Sequence, residues 1–248
     1  MNENPNFYSV IIGTELLNGR RSDSHFKTVN DQLVSRGWEH KANFVIKDDP
    51  QLLHDIFVLI KTDSRSVMFS FGGIGSTPDD FTREVASAAF TGSGLVRHKE
   101  AETIIIDRIG QRAFPHPIKM ADLPVGSKLV HNPFNKMPGF QLDDKYFFVP
   151  GFPEMAHPMI VNILDEFYPE NNVRYSCNFI AECSETMLID IMNNIPDSLN
   201  LSCLPSFENN TFKSEIYLSN ENQATLQKWC AFFKDELEKM GVFWKEIC

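Results

Sequence analysis

Short apolar runs alternate with amphipathic stretches along the first two thirds of the chain, and nearly every run is cut off by glycine, proline or an acid. Phe7–Ile12 is a buried-strand candidate that stops at Gly13. Ser24–Arg36 places Phe26, Val29, Leu33 and Val34 at helical spacing, and Gly37 ends it. Trp38–Ile46 is a second strand candidate. Asp49-Pro50 then opens a helix with Leu52, Leu53, Ile56, Phe57 and Ile60 on one face. Val67–Phe71 is a third strand, cut off by Gly72-Gly73. Thr77-Pro78-Asp79-Asp80 has the composition of a helix start: Thr77 as N-cap, Pro78 at the first helical position, acids in the first turn. Val85, Ala86 and Ala89 continue that helix. Such alternation predicts βαβ units, right-handed crossovers and a mostly parallel sheet, hence an α/β fold. Ligands of these sheets bind at carboxyl strand ends. Gly13-Thr14-Glu15 and Gly72-Gly73-Ile74-Gly75 are the two glycine-bearing ends.

Further along, Glu100–Arg112 reads as a helix, Phe114–Pro138 as irregular or extended, Tyr146–Val149 as a buried strand and Met155–Phe167 as a helix. Near Pro169–Asn172 the pattern changes. Tyr175–Ala181, Glu185–Asn193, Asn200–Ser206, Phe212–Leu218 and Gln223–Met240 then read as strand, helix, strand, strand, helix. The boundaries expected are a domain over 1–170 and a small α+β domain over 171–248. The stripe Leu226, Trp229, Phe233, Leu237 and Met240 on the last helix is core by spacing.

The 248 residues allow one or two domains, and 42% hydrophobic content supplies a conventional core. A net charge of −10 argues against a nucleic-acid or anionic-membrane surface, both of which need clustered Lys and Arg. The final segment also lacks a GXXG clamp, so an RNA module is not expected there. Cys177, Cys183, Cys203, Cys230 and Cys248 show no C-x-x-C pair. They read as reduced, packed thiols of a cytoplasmic protein. The N-terminus carries no signal-peptide pattern, and no apolar run approaches the roughly 18 residues of a membrane helix.

The strongest local signal for chemistry is Gly72-Gly73-Ile74-Gly75-Ser76-Thr77-Pro78-Asp79-Asp80. Glycines between a strand and a helix let backbone amides approach an anion, but they also serve plain turns. The segment is neither a P-loop nor a dinucleotide fingerprint. Asp79 and Asp80 have two readings: acids of a first helical turn, or carboxylates that accept a phosphate neighbour only through a hard cation such as Mg²⁺. Asp48, at the end of the second strand, is a further contributor or a cap for the helix that follows. Thr14 and Glu15 follow the first strand, and Glu15 is a metal ligand, a base or a helix start. The seven histidines show no metal-ligand spacing.

Together these segments resemble the molybdopterin-binding and competence/damage-inducible protein A family. Gly13-Thr14-Glu15-Leu16-Leu17-Asn18-Gly19 is similar to its GTELLxG opening, and Gly72–Glu84 to its GGxGPTxDDxTxE segment. Lys119–Phe140 resembles its MxxLPxGxxxxxNPxxxxPGF segment, and Val149–Met155 its LPGxPxEM segment. The resemblance implies a three-layer sandwich around a mostly parallel sheet that binds a phosphorylated pterin or nucleotide. In some branches it implies metal-dependent cleavage of ADP-ribose or FAD pyrophosphate. Residue by residue, it implies phosphate holding by Gly72, Gly73, Gly75, Ser76 and Thr77. Metal and phosphate chemistry would fall to Asp48 and Asp80, with Asp79 adjacent. Thr14 and Glu15 match the opening motif, and the loops at Pro138-Gly139-Phe140 and Pro150-Gly151-Phe152-Pro153 would border the ligand. A homo-oligomer is implied as well. The amidohydrolase domain of long family members has no counterpart here, so their deamidase activity is not expected. Ser76 stands where the family has Pro, and His25 where it has Asn.

Overall fold

A computed structural model describes residues 4–170, 174–208 and 210–247. The chain divides into two compact units, Met1–Asn171 and Asn172–Cys248. In the first, the elements follow one another as β1 (Asn6–Ile12), α1 (Thr14–Leu17), α2 (His25–Ser35), β2 (His40–Ile46), α3 (Pro50–Thr62), β3 (Ser66–Phe71) and α4 (Thr82–Ala86). Then come β4 (Leu95–Arg97), α5 (Lys99–Ile109), β5 (Asp122–Pro124), β6 (Lys128–Val130), β7 (Gly139–Leu142), β8 (Tyr146–Val149) and α6 (Pro153–Phe167).

The six-stranded sheet has the order β2-β1-β3-β8-β7-β6. β2, β1, β3 and β8 pair in parallel, and β7 pairs antiparallel with both its neighbours. The period-2 alternation of the central strands builds two cores. Phe7 and Ile11 of β1, with Val67, Phe69 and Phe71 of β3, pack beneath α2 and α6. Val10 and Ile12 of β1, with Met68 of β3 and Phe148 of β8, face α3, α4 and α5. Helices therefore cover both sheet faces, the α/β fold expected from the alternation in the three layers that the resemblance implies.

Several expectations change. Thr77 is not an N-cap and Pro78 does not begin a helix: α4 starts at Thr82, with Phe81 as its N-cap. Thr77 instead donates both its backbone amide (2.8 Å) and its hydroxyl (2.5 Å) to Asp80 Oδ2, closing a turn. The helix does not run on regularly through Ala89 either, because Ser87–Thr91 opens into one wide π-helical turn. The cap of α3 is Asp49, which accepts from the Gln51 and Leu52 amides. Asp48 therefore does not cap it. On α2 the buried face is His25, Val29 and Leu33, whereas Phe26 and Val34 are exposed. Leu52 of α3 is exposed too. The segment 114–138, expected to be irregular or extended, is extended in the short strands β5 and β6 and also contains a 3-10 turn at Pro117–Ala121. β7 was absent from the expected strands because Gly139 heads it and the Lys- and Pro-rich segment masks its pattern.

The second unit contains β9 (Tyr175–Ala181), α7 (Ile189–Met192), β10 (Asn200–Glu208), β11 (Thr211–Asn220), α8 (Gln223–Lys239) and β12 (Trp244–Glu246). Its sheet is antiparallel, in the order β10-β11-β9-β12. The expected helix over Glu185–Asn193 divides into a 3-10 turn and α7. β12 is an additional short strand. α8 buries Leu226, Cys230, Phe233 and Leu237, while Met240 is exposed. Among the described residues no helix is long and apolar enough to cross a membrane.

Two consequences are measurable. A Cβ on Gly139 would lie 2.4 Å from the Phe148 carbonyl oxygen and 2.9 Å from Met159 Cε. Gly139→Ala is expected to destabilise the first unit by roughly 1–3 kcal/mol, the cost of overpacking, read by denaturant unfolding. The second concerns His40, whose Nε2 bonds Ser9 Oγ at 2.8 Å and whose Nδ1 is buried without a partner. Burial lowers its pKa from 6.5 to about 4. Because the folded state holds the neutral ring, stability is full above pH 6.5 and falls as pH drops towards 4. The loss is expected to be roughly 2 kcal/mol, less than the whole shift because the ring is partly exposed. His40→Gln should flatten that part of the stability–pH curve.

Candidate functional site

Four parallel strands end side by side, and their carboxyl ends carry the residues Gly13, Asp48, Gly72-Gly73 and Pro150-Gly151. All of these line one cavity of about 610 Å³, within the roughly 300–1,000 Å³ usual for small-molecule sites. Backbone bonds lock the strand ends together: the Gly13 amide donates to the Ile46 carbonyl at 2.9 Å, and the Gly72 amide to the Val149 carbonyl at 3.0 Å. Such placement follows from the rule for open parallel sheets, in which the amino ends of the crossover helices diverge above the strand ends.

The glycine loop rests on Thr82. Its amide donates to the Gly73 carbonyl and its hydroxyl to the Gly72 carbonyl, both at 3.0 Å. Gly73 has φ +67°, and a Cβ there would lie 2.2 Å from Thr82 Oγ1. At Gly75 the constraint is space, since a Cβ would meet Asp80 Oδ2 at 2.5 Å. Gly73 therefore needs glycine for packing and for its backbone conformation, and Gly75 for packing alone. Among the described residues, the amides of Gly73, Ile74, Gly75 and Ser76 donate to no protein acceptor. All four residues line the cavity. Four consecutive amides on a cavity wall without a protein acceptor have the donor pattern that backbone anion nests use. The α4 terminus contributes less than its sequence suggests, because the Thr82 amide is already taken by Gly73.

The two acids of the resemblance lie on the same cavity. Asp48 Oδ2 accepts from the Thr14 amide at 2.9 Å and the Thr14 hydroxyl at 2.8 Å, tying the end of β2 to the start of α1. Asp80 is held in the same manner by Thr77. Each carboxylate thus uses Oδ2 to shape a loop. Asp79 is exposed and also lines the cavity, as do Glu15, Ser76, Thr77, Pro138 and Pro150. Thr14 and Gly139 do not. Thr14 acts through Asp48, and Gly139 is buried in β7 against Phe148 and Met159. Among the described residues no three side chains of His, Cys, Asp or Glu converge as a metal cluster.

Several lining residues carried no signal in the local pattern. Arg21 lines the cavity and is exposed, so it brings a guanidinium to an otherwise acidic rim. Asn132, fully buried, bonds Asn135 Oδ1 at 2.8 Å, and the same oxygen accepts from the Met137 amide at 2.9 Å. This turn brings Asn135, Met137 and Pro138 to the cavity. Met120 and Met155 add apolar, polarisable surface. His25 is buried and stacks on Phe71 with centroids 4.5 Å apart. Its Nε2 is 3.3 Å from the Gly151 carbonyl oxygen, so the histidine ties α2 to the loop after β8. Burial lowers its pKa, and the ring stays neutral at neutral pH.

Residues 9–169 match the model of the family described as "Probable molybdopterin binding domain". A CinA-like protein of Nostoc punctiforme is 31% identical over 157 residues, covering 60% of this chain and 37% of its own length. A protein named for competence-damage induction in Caldanaerobacter subterraneus subsp. tengcongensis is 31% identical over 188 residues, covering 73% of this chain and 43% of its own. The chain thus spans about two fifths of the length of these relatives. Among solved structures, the CinA protein of unknown function from Thermoplasma acidophilum matches with a TM-score of 0.59 at 25% identity, over 65% of this chain and 98% of that one. With the family model matched over residues 9–169, well over half of its length, the chain belongs to the molybdopterin-binding domain family.

Proposed function

We propose that the cavity binds a phosphorylated ring compound, a pterin or a nucleotide, and that the protein hydrolyses the phosphoanhydride of an ADP-ribose- or FAD-like substrate with a divalent metal ion. The observation that carries this reading is the run of four unpaired amides, Gly73–Ser76, on a cavity that also receives Asp48 and Asp80. The amides hold phosphate oxygens by charge-assisted hydrogen bonds. Arg21 adds positive charge at the rim. Met120, Met137 and Met155 suit the flat face of a ring. Thr14 and Thr77 keep the two carboxylates fixed in orientation, so little reorganisation is needed as charge develops. Asp80 and Asp48, with Asp79 beside them, offer hard oxygen donors of the kind Mg²⁺ takes one or two at a time. Bound there, such a cation would neutralise phosphate charge and offset the repulsion between carboxylates and ligand. In the reaction, water adds to phosphorus and the anhydride oxygen leaves, giving two phosphomonoesters.

A second reading has its own support. Asp48 and Asp80 each already serve a threonine, as expected of acids whose task is to shape loops. The protein is then a binding module without turnover. The two readings share the glycine nest and differ in what Asp80 does.

Incubating the purified protein with ADP-ribose or FAD, with and without Mg²⁺, Mn²⁺ or Co²⁺, separates them. Hydrolysis predicts metal-dependent AMP release that Asp80→Asn reduces at least ~100-fold, the scale of losing an electrostatic stabiliser. Binding should weaken only a few-fold. Absence of AMP release from any nucleotide diphosphate leaves the binding module alone standing. Both readings predict that Gly73→Ala weakens ligand binding by tenfold or more, about 1.4 kcal/mol, measured by calorimetry. Unchanged affinity in that variant would remove the nest from the account.

A further inference from the structure

The second unit has a hollow of its own, about 470 Å³, lined by residues of that unit. Its wall includes Cys177 of β9, Cys230 and Lys234 of α8, and Glu246 of β12. Cys230 and Lys234 are four apart on one helix, so both point to the same side, and that side packs on the strand bearing Cys177. Lys234 is held firmly: its ammonium pairs with Glu246 and lies 5.6 Å from the Phe179 ring centroid and 5.0 Å from that of Trp244. Its side chain is only 18% exposed. A fixed, poorly solvated ammonium beside two thiols is the environment that favours a thiolate.

We propose that Cys177 and Cys230 form a thiol–disulfide exchange site for low-molecular-weight disulfides, with Cys177 as nucleophile, Cys230 as resolving thiol and Lys234 as the positioning charge. The Cys177 thiolate attacks one sulfur of the external disulfide. That S–S bond breaks, and one thiolate leaves and takes a proton from solvent. Cys230 gives its proton to solvent and attacks Cys177 sulfur in the mixed disulfide, expelling the second thiol. Two protein thiols are oxidised and one external disulfide is reduced to two thiols.

The titration behaviour agrees with this order. Hydrogen bonding with Cys230 and the Lys234 charge lower the Cys177 pKa to about 7, against opposing burial and Glu246. Cys230 is raised by the same partner thiol and by burial. Once Cys177 is capped, its negative charge is gone and Lys234 acts on Cys230 alone. Cys183 and Cys203 are raised by burial and serve as internal references.

The full chain, fully reduced, is exposed to oxidised glutathione, and products are mapped by mass spectrometry after cleavage at glutamates, which separates Cys177 from Cys183 at Glu182. The expected product has lost two hydrogens and carries a Cys177–Cys230 link. Cys230→Ser should stop at one glutathione on Cys177, whereas Cys177→Ser should leave Cys230 unmodified over the same interval. Lys234→Met should slow Cys177 modification roughly tenfold at pH 7 and move its pH–rate inflection upward. Lys234→Arg should restore it, and circular dichroism checks that each variant is folded. Cys177 reacting no faster than Cys183 and Cys203, or linking to a cysteine other than Cys230, would overturn the proposal.

Discussion

The site depends on how closely two stretches of backbone approach at Thr82. This residue donates its amide to the Gly73 carbonyl and its hydroxyl to the Gly72 carbonyl, both at 3.0 Å. The carbonyls that could close the loop on itself are thereby engaged elsewhere, and among the described residues the amides of residues 73–76 are left without protein partners. A buried polar group without a partner is costly, so an open nest persists only where water or an anion can reach it. The cavity above the strand ends provides that access. Any side chain at Gly73 would push Thr82 away and collapse the arrangement.

Asp48 and Asp80, the two acids of the proposed chemistry, also shape the fold around the cavity. Each takes two donors from a threonine, one backbone and one hydroxyl. The effect is local, fixing turns after β1 and β3, but it also sets the orientation of both carboxylates over the cavity. His25 does comparable work from another direction, stacking on Phe71 and reaching the Gly151 carbonyl. Burial lowers the pKa of this histidine, which disfavours a positive charge at that wall of the cavity.

The two hollows are built on different physics. The first relies on backbone amides and carboxylates at parallel strand ends, an arrangement the α/β topology produces wherever strand order and glycine placement coincide. The second relies on side chains projecting from one helix and two antiparallel strands, with a lysine immobilised between two aromatic rings and a carboxylate. Each stands on its own residues.

What the sequence alone determined is the alternation: apolar runs of strand length, amphipathic helices between them, and glycines where a strand gives way to a loop. Period-2 burial and helical spacing are short-range properties, so β1, β2, β3, β8 and the helices α3 and α6 were legible, as was the glycine loop. What only the tertiary structure decided is which side chain captures which donor, whether near or far along the chain. Thr77 and Pro78 had the composition of a helix start, yet Asp80 captures Thr77 and delays the helix to Thr82, because a carboxylate three residues on is a better acceptor than solvent in that confined turn. The His25 contact with Gly151 and the Asn132–Asn135 turn join residues 126 and 3 positions apart. No local pattern encodes the longer of these contacts, since it exists only after the sheet has brought its strand ends and loops together.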